Sequence, residues 1–291
     1  MTTSIQDTRA PRASAPATAT QPARRPGPVR SLLADPGYGP LPALLLTLTA
    51  VTGIVDAVSI LSLGRVFVAN MTGNVVFAGF AAVGAPGFSL SASLFALAGF
   101  LAGAAIGGCL TARAGSDRGV LLRAGAAAEL VLVAAALVLA AASGAPGISH
   151  GTSAITGAAF GPAVIDALAA LLAVGLGIQN AVARKLAVPD MTTTVLTMTL
   201  TGLAAEIRDA LCRFGGRATV SPAARVAAGK TLARRLIVIG TMIAGAVTGA
   251  LLVLDVSPVS ALGLSTALLM IVAAGAALAA RRPAAWRAVR G

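Results

Sequence analysis

Charge is missing from this chain over distances that no water-facing fold tolerates. No Asp, Glu, Lys or Arg occurs from Val66 to Ala112 or from Leu130 to Ile165, and from Leu236 to Ala280 the only charge is Asp255. A run of ~18 or more apolar residues is long enough to cross the hydrocarbon layer as a helix. Inside that layer each backbone N–H and C=O must find a partner within the segment, which an isolated span achieves only as a helix. The composition agrees: 11% of the residues are charged and 57% hydrophobic, against about 25% charged in soluble domains. The sequence therefore predicts an all-α integral membrane protein.

Six stretches are long and apolar enough to cross: 41–63, 89–111, 120–142, 162–183, 236–254 and 259–280. Two more are ambiguous. Residues 67–84 carry Asn70, Thr72, Gly73 and Asn74 near their start, and residues 190–210 are rich in Thr and end in charge. The distribution of basic residues chooses between six crossings and eight, because cytoplasmic loops are enriched in Lys and Arg. Arg24, Arg25 and Arg30 put the N-terminal tail in the cytoplasm, whereas 85–92, 143–161 and 255–258 hold no Lys or Arg. If all eight segments crossed, Arg113 and Arg118 would face outward. If 67–84 and 190–210 enter and return on the same side, every strongly basic loop is cytoplasmic and only Arg65 is misplaced. Six transmembrane helices with two re-entrant or short half-helix segments is the better reading, with both termini cytoplasmic.

Residues 1–40 are Thr, Ala, Pro, Ser and Arg with few large apolar side chains. Such a segment cannot bury enough surface to offset its ordering entropy, so it reads as a disordered basic tail. It lacks the apolar core of a secretory signal. A membrane domain is expected over 41–280, followed by a second basic tail at 281–291.

The net charge of +12 does not point to nucleic acid. The basic residues cluster in tails and loops, and one Trp and one Tyr provide no basic face interleaved with aromatics. In a membrane protein such loops meet the anionic headgroups of the cytoplasmic leaflet, so the lipid bilayer is the expected partner. Cys109 and Cys212 stand in unrelated contexts and offer no metal spacing or disulfide framework.

The chain also repeats itself. Gly53-Ile-Val-Asp56-Ala-Val58 matches Gly177-Ile-Gln-Asn180-Ala-Val182 at four of six positions, and Met71-Thr-Gly-Asn-Val75 matches Met191-Thr-Thr-Thr-Val195 at three of five. Ala102-Gly-Ala-Ala-Ile-Gly107 then matches Ala244-Gly-Ala-Val-Thr-Gly249 at four of six. The collinear order defines two units, about 41–142 and 162–280. With three crossings per unit, the second is inverted relative to the first. Inverted repeats around interrupted helices are a transporter architecture with the site near the midplane.

The strings GIVDAVSIL, FVANMTGNVVFAG, GLGIQNAVARKL and MTTTVLTMTLTGLAAE resemble the YoaK family of bacterial multi-pass membrane proteins, over about residues 41–280. The resemblance implies a bacterial cell-membrane protein from a domain family of unknown function, and supplies neither a substrate nor site residues.

Candidate residues come from polar groups at depth. Asp56 lies about fifteen residues into the first span, where a carboxylate is costly unless paired, protonated or facing a polar cavity; Arg65 and Asn180 are its possible structural partners. Asn180 is its repeat counterpart, beside Gln179, and buried amides also serve simply to bridge helices. If Val66–Asn70 enters extended, a helix from about Met71 begins inside the membrane, where unpaired N–H groups and the positive dipole end favour an anion or a polar oxygen. Asn70, Thr72 and Asn74, with Thr192, Thr193 and Thr194 in the second unit, are then ligands or plain N-caps. Glu129 could face a cavity, snorkel or pair with Arg123. Gly99, Gly103, Gly107, Gly245 and Gly249 form small-xxx-small rows that signal helix packing.

No nucleophile–base–orienter set and no P-loop is present, so neither an enzyme nor ATP-driven transport is expected, and no cofactor or metal is implied. The expected function is a secondary transporter or channel-like permease for a small polar or anionic solute, with a proton as possible co-substrate. A non-transporting scaffold or sensor is the alternative.

Overall fold

The computed structural model describes residues 38–144, 159–188, 200–204, 208 and 222–281. The elements are α1 (Leu41–Ser62), α2 (Met71–Ala82), α3 (Leu90–Ala114), α4 (Arg118–Ala142), α5 (Pro162–Leu186), α6 (Pro222–Asp255) and α7 (Pro258–Ala280). Six of them are long and apolar enough to cross a membrane. The seventh, α2, has 12 residues, or about 18 Å at ~1.5 Å per residue, against a hydrocarbon core of ~30 Å. It is too short to span. The second ambiguous segment, including Thr192, Thr193 and Thr194, lies outside the described residues except for helical residues at 200–204 and 208. So do most of both expected tails.

Local chemistry sets the helix starts. Asp117 Oδ1 accepts from Gly119 N at 2.9 Å and Val120 N at 3.0 Å, opening α4. Ser89 caps α3 and Ser257 caps α7 through their hydroxyls, which satisfies N–H groups that have no intrahelical partner. α1, α5 and α7 carry proline in the first turn, where its missing N–H costs nothing. α6 starts earlier than hydropathy alone implies, since the stretch rich in Ala and Arg before Leu236 contains good helix formers and, after Pro222, no further proline and a single glycine, Gly229.

α1 and α5 form the centre: 67% and 56% of their apolar windows are buried, against 22–33% for the other spans. Each is crossed at backbone contact by a helix from the other half of the chain. On α1, a side-chain carbon at Gly53 would lie 2.8 Å from the Ala246 nitrogen of α6, and one at Gly245 would lie 3.0 Å from Ala50 Cα. On α5, a carbon at Gly177 would lie 2.9 Å from the Ala104 nitrogen of α3, and one at Gly103 would lie 2.9 Å from Val174 Cα. Gly249 meets Ile54 and Ala57, and Gly107 meets Ile178 and Ala181. The two crossings pair residues at matching offsets in the sequence. Shifting α1 by 124 gives α5 (Gly53 to Gly177), and shifting α3 by 142 gives α6 (Gly103 to Gly245).

These contacts also fix directions. Ala50 and Ile54 meet Gly245 and Gly249 in increasing order, so α1 and α6 run parallel; Val174 and Ile178 meet Gly103 and Gly107, so α3 and α5 run parallel. Ser91 Oγ donates to Asp166 Oδ1 at 3.0 Å, and Ala159 N donates to Ser62 O at 2.9 Å. The end of α1 and the starts of α3 and α5 therefore share one end of the bundle. Arg118, at the start of α4, lies 5.0 Å over the Tyr38 ring ahead of α1, at the opposite end.

Without Cβ atoms the helices approach closely enough for dispersion and Cα–H···O contacts, the main attraction available between helices in lipid. Gly53→Leu and Gly177→Leu should each destabilise the detergent-solubilised protein by about 3 kcal/mol or more, since the added atoms meet backbone. Gly108→Ala, whose added carbon meets nothing within 4 Å, should leave thermal unfolding unchanged or raise the stability by up to about 1 kcal/mol.

Candidate functional site

The chain reverses between α1 and α2 by placing Gly64 (φ +77°) and Arg65 (φ +56°) in the left-handed region. Val66, Val68 and Ala69 are then buried as the chain runs back alongside α1. The depth of this return can be read from its contacts. The backbone N–H groups of Ala69 and Val68 reach the Asp56 carboxylate, and Asp56 is six residues before the end of α1 at Ser62. At ~1.5 Å per residue the segment has returned about 9 Å below the end of α1 before α2 begins. That is the short entry and return expected from the sequence.

Two residues of the MTGN string hold this turn in place. Asn74 is fully buried; its Oδ1 accepts from Phe67 N at 2.8 Å and its Nδ2 donates to Phe67 O at 2.6 Å. The side-chain amide thus substitutes for a strand partner at a residue with none. Gly73 leaves room for the Phe67 ring, whose Cδ2 would lie 2.5 Å from a Cβ there. Phe67 stacks on Phe77 at 5.6 Å, and Phe77 and Phe80 both pack on Phe88, which lies 5.7 Å under the Arg65 guanidinium. Asn74 is therefore a clamp on the entering strand and not a cap of α2. Asn70 stands at the N-cap position but makes no side-chain cap hydrogen bond. Asn70 and Thr72 are exposed at the helix start, next to N–H groups that the helix itself leaves open.

Asp56 is partly exposed, yet its Oδ1 is buried without a hydrogen-bond partner. Arg65, one of its possible partners, lies instead against Phe88 and Gly87. One turn away on α1, Thr52 is fully buried and its Oγ1 accepts from Gln179 Nε2 of α5 at 3.0 Å. This bond ties the two central helices together at mid-depth. Asn180 does not join Asp56. It borders a cleft of about 420 Å³ between α3 and α5, together with Thr111, Arg184 and Lys185.

Glu129 is more central than the sequence reading made it. It is 1% exposed, and its Cγ lies 3.6 Å from the position of a Cβ on Gly175 of α5, while Arg123 is exposed. The signal was available: Gly125, Ala126, Glu129, Val133, Ala136 and Ala140 recur at helical spacing along the buried stripe of α4. No group of three His, Cys, Asp or Glu among the described residues is placed to hold a metal ion.

Six apolar helices of spanning length, a short helix between the first two of them, and polar groups held between central helices define an all-helical multi-pass membrane protein. Residues 44–275 match the family described as "Protein of unknown function (DUF1275)", and the chain belongs to that family. It is 37% identical over 163 residues to the UPF0700 transmembrane protein YoaK of Bacillus subtilis (strain 168), an alignment covering 56% of this chain and 64% of that relative. No solved structure matches.

Removing the clamp should release the turn. Asn74→Ala leaves the part-buried N–H and C=O of Phe67 without their amide partner, at up to about 1–3 kcal/mol for each group. Amide hydrogen exchange over residues 66–70 should accelerate while α4 and α5 keep their protection.

Proposed function

We propose that this protein is a secondary transporter or channel-like permease for a small polar or anionic solute in the bacterial cell membrane. Its two units are inverted repeats, its termini are cytoplasmic, and it works without enzymatic chemistry. The observation that carries the reading is the return of residues 66–70 against Asp56, which starts α2 below the surface with Asn70 and Thr72 uncovered. Non-helical backbone at membrane depth is tolerated where it is packed in protein or lines a polar cavity. Discontinuous helices with N-termini aimed at the solute are how inverted-repeat transporters build their sites. The matched crossings of α1 with α6 and of α5 with α3 support the inversion, because counterpart helices run in opposite directions.

The chemistry follows from charge competition. The positive end of α2 and the Val68 and Ala69 N–H groups favour a negative charge, and the Asp56 carboxylate already supplies one. An anionic solute at the α2 start meets that carboxylate as a like charge. Proton uptake by Asp56 removes the repulsion, so solute and proton bind together. Asn180, the counterpart of Asp56, carries no charge, which makes the two halves unequal and gives the proton one station on the route. Thr192, Thr193 and Thr194 are the sequence counterparts of Thr72, Gly73 and Asn74 in the second unit and lie outside the described residues.

Two measurements test this. In a cysteine-free background, Thr72→Cys should react with a membrane-impermeant thiol reagent from the outer side; complete inertness from both sides would leave a packed scaffold instead. In a thermal-shift screen of the purified protein against small organic anions, stabilisation should strengthen as pH falls. Asp56→Asn, which mimics the protonated acid, should retain the stabilisation and lose its pH dependence. An anion that stabilises the wild type equally at all pH values would remove Asp56 from the mechanism.

A further inference from the structure

The cleft at the C-terminal end of α3 and α5, the end proposed above to face the cytoplasm, has a graded lining. Phe100, Ala104 and Gly108 form one wall, and Thr111, Asn180, Arg184 and Lys185 form the remainder of the named lining with Ala181. Along α5, Asn180 precedes Arg184 by one helical turn, ~5.4 Å, and along α3 Phe100 lies about three turns from Thr111. The order from the membrane surface inward is thus two cations and a hydroxyl, then an amide, then an aromatic and small apolar wall.

The α5 terminus is closed by the backbone, with Ala187 N donating to Ala183 O at 3.3 Å, so that carbonyl needs no side-chain donor. Neither Arg184 nor Lys185 has an ion-pair partner among the described residues, and both are exposed. The cleft also borders the outer face of α3, where Leu101 is 69% and Ile106 46% exposed and where lipid chains lie in a bilayer. Gly108 keeps the groove open, since a Cβ there would meet nothing within 4 Å.

We infer that this cleft is a binding site for one anionic phospholipid of the inner leaflet. Its phosphate is held by Arg184 and Lys185 at the mouth of the cleft, and an acyl chain lies along Phe100, Ala104 and Gly108. Basic pockets between helices at the cytoplasmic side are where anionic headgroups are recognised, and each cation near the surface adds to their attraction. A free phosphate would use only the rim and leave the apolar wall empty. The lining matches the whole lipid, and the assignment stands independently of whether the protein transports a solute.

Native mass spectrometry of the full-length protein in a neutral detergent tests it by titration with phosphatidylglycerol, phosphatidylcholine and inorganic phosphate. One tight phosphatidylglycerol adduct is expected, with no equivalent for phosphatidylcholine. The Arg184→Gln/Lys185→Gln variant should bind it at least tenfold more weakly. Arg123→Gln/Arg281→Gln, which removes the same charge elsewhere, should bind it normally. Gly108→Leu should also lose it by filling the groove with the cations intact. The inference is overturned if phosphatidylcholine binds equally, if inorganic phosphate displaces the lipid at comparable concentration, or if both cleft variants keep wild-type affinity.

Discussion

Everything else in this molecule depends on how closely four helix backbones approach at two glycine crossings. Lipid offers no hydrophobic drive for helices to associate, since acyl chains are as apolar as leucine; what remains is contact at short range. Gly53, Gly245 and Gly249 supply it between α1 and α6, and Gly103, Gly107 and Gly177 supply it between α3 and α5. Because both contacts sit on the central helices, they set the positions of the polar groups there. The Gln179–Thr52 hydrogen bond and the burial of Glu129 both follow from where α5 lies.

The short segment after α1 is the second constraint. It enters because Gly64 and Arg65 turn the chain, and it stays because Asn74 pairs with Phe67 on both backbone atoms. A string that reads as a ligand-binding motif therefore divides by role. Gly73 and Asn74 secure the turn, while Asn70 and Thr72 remain uncovered at the start of α2. The Asp56 carboxylate meets the same turn from below, so the clamp and the candidate site are physically coupled.

Much of this architecture was legible in the residues themselves. The six long spans and the short helix follow from charge-free runs and from the polar residues interrupting 67–84. The small-xxx-small rows pointed to the crossings, although spacing alone could not name partner helices or directions. The site was less legible. Polarity at depth identified Asp56, Gln179 and Asn180, but separating them required knowing which helix faces which: Gln179 bonds Thr52, whereas Asn180 borders the α3–α5 cleft. The place of Asn74 in the first turn of α2 permits a cap or a ligand, and its bond back to Phe67 depends on a chain reversal that no local pattern encodes.

With three membrane crossings in each unit, as proposed, the second unit is inverted relative to the first. Position 116, in the α3–α4 turn, and position 256, in the α6–α7 turn, are matching points of the two proposed units, and both are exposed. Labelling Ser116→Cys and Val256→Cys in a cysteine-free background with a membrane-impermeant thiol reagent compares them directly. Three crossings per unit predict that position 116 labels only from the cytoplasm and position 256 only from outside. Labelling of both from the same face would mean four crossings per unit, parallel repeats, and no re-entrant site.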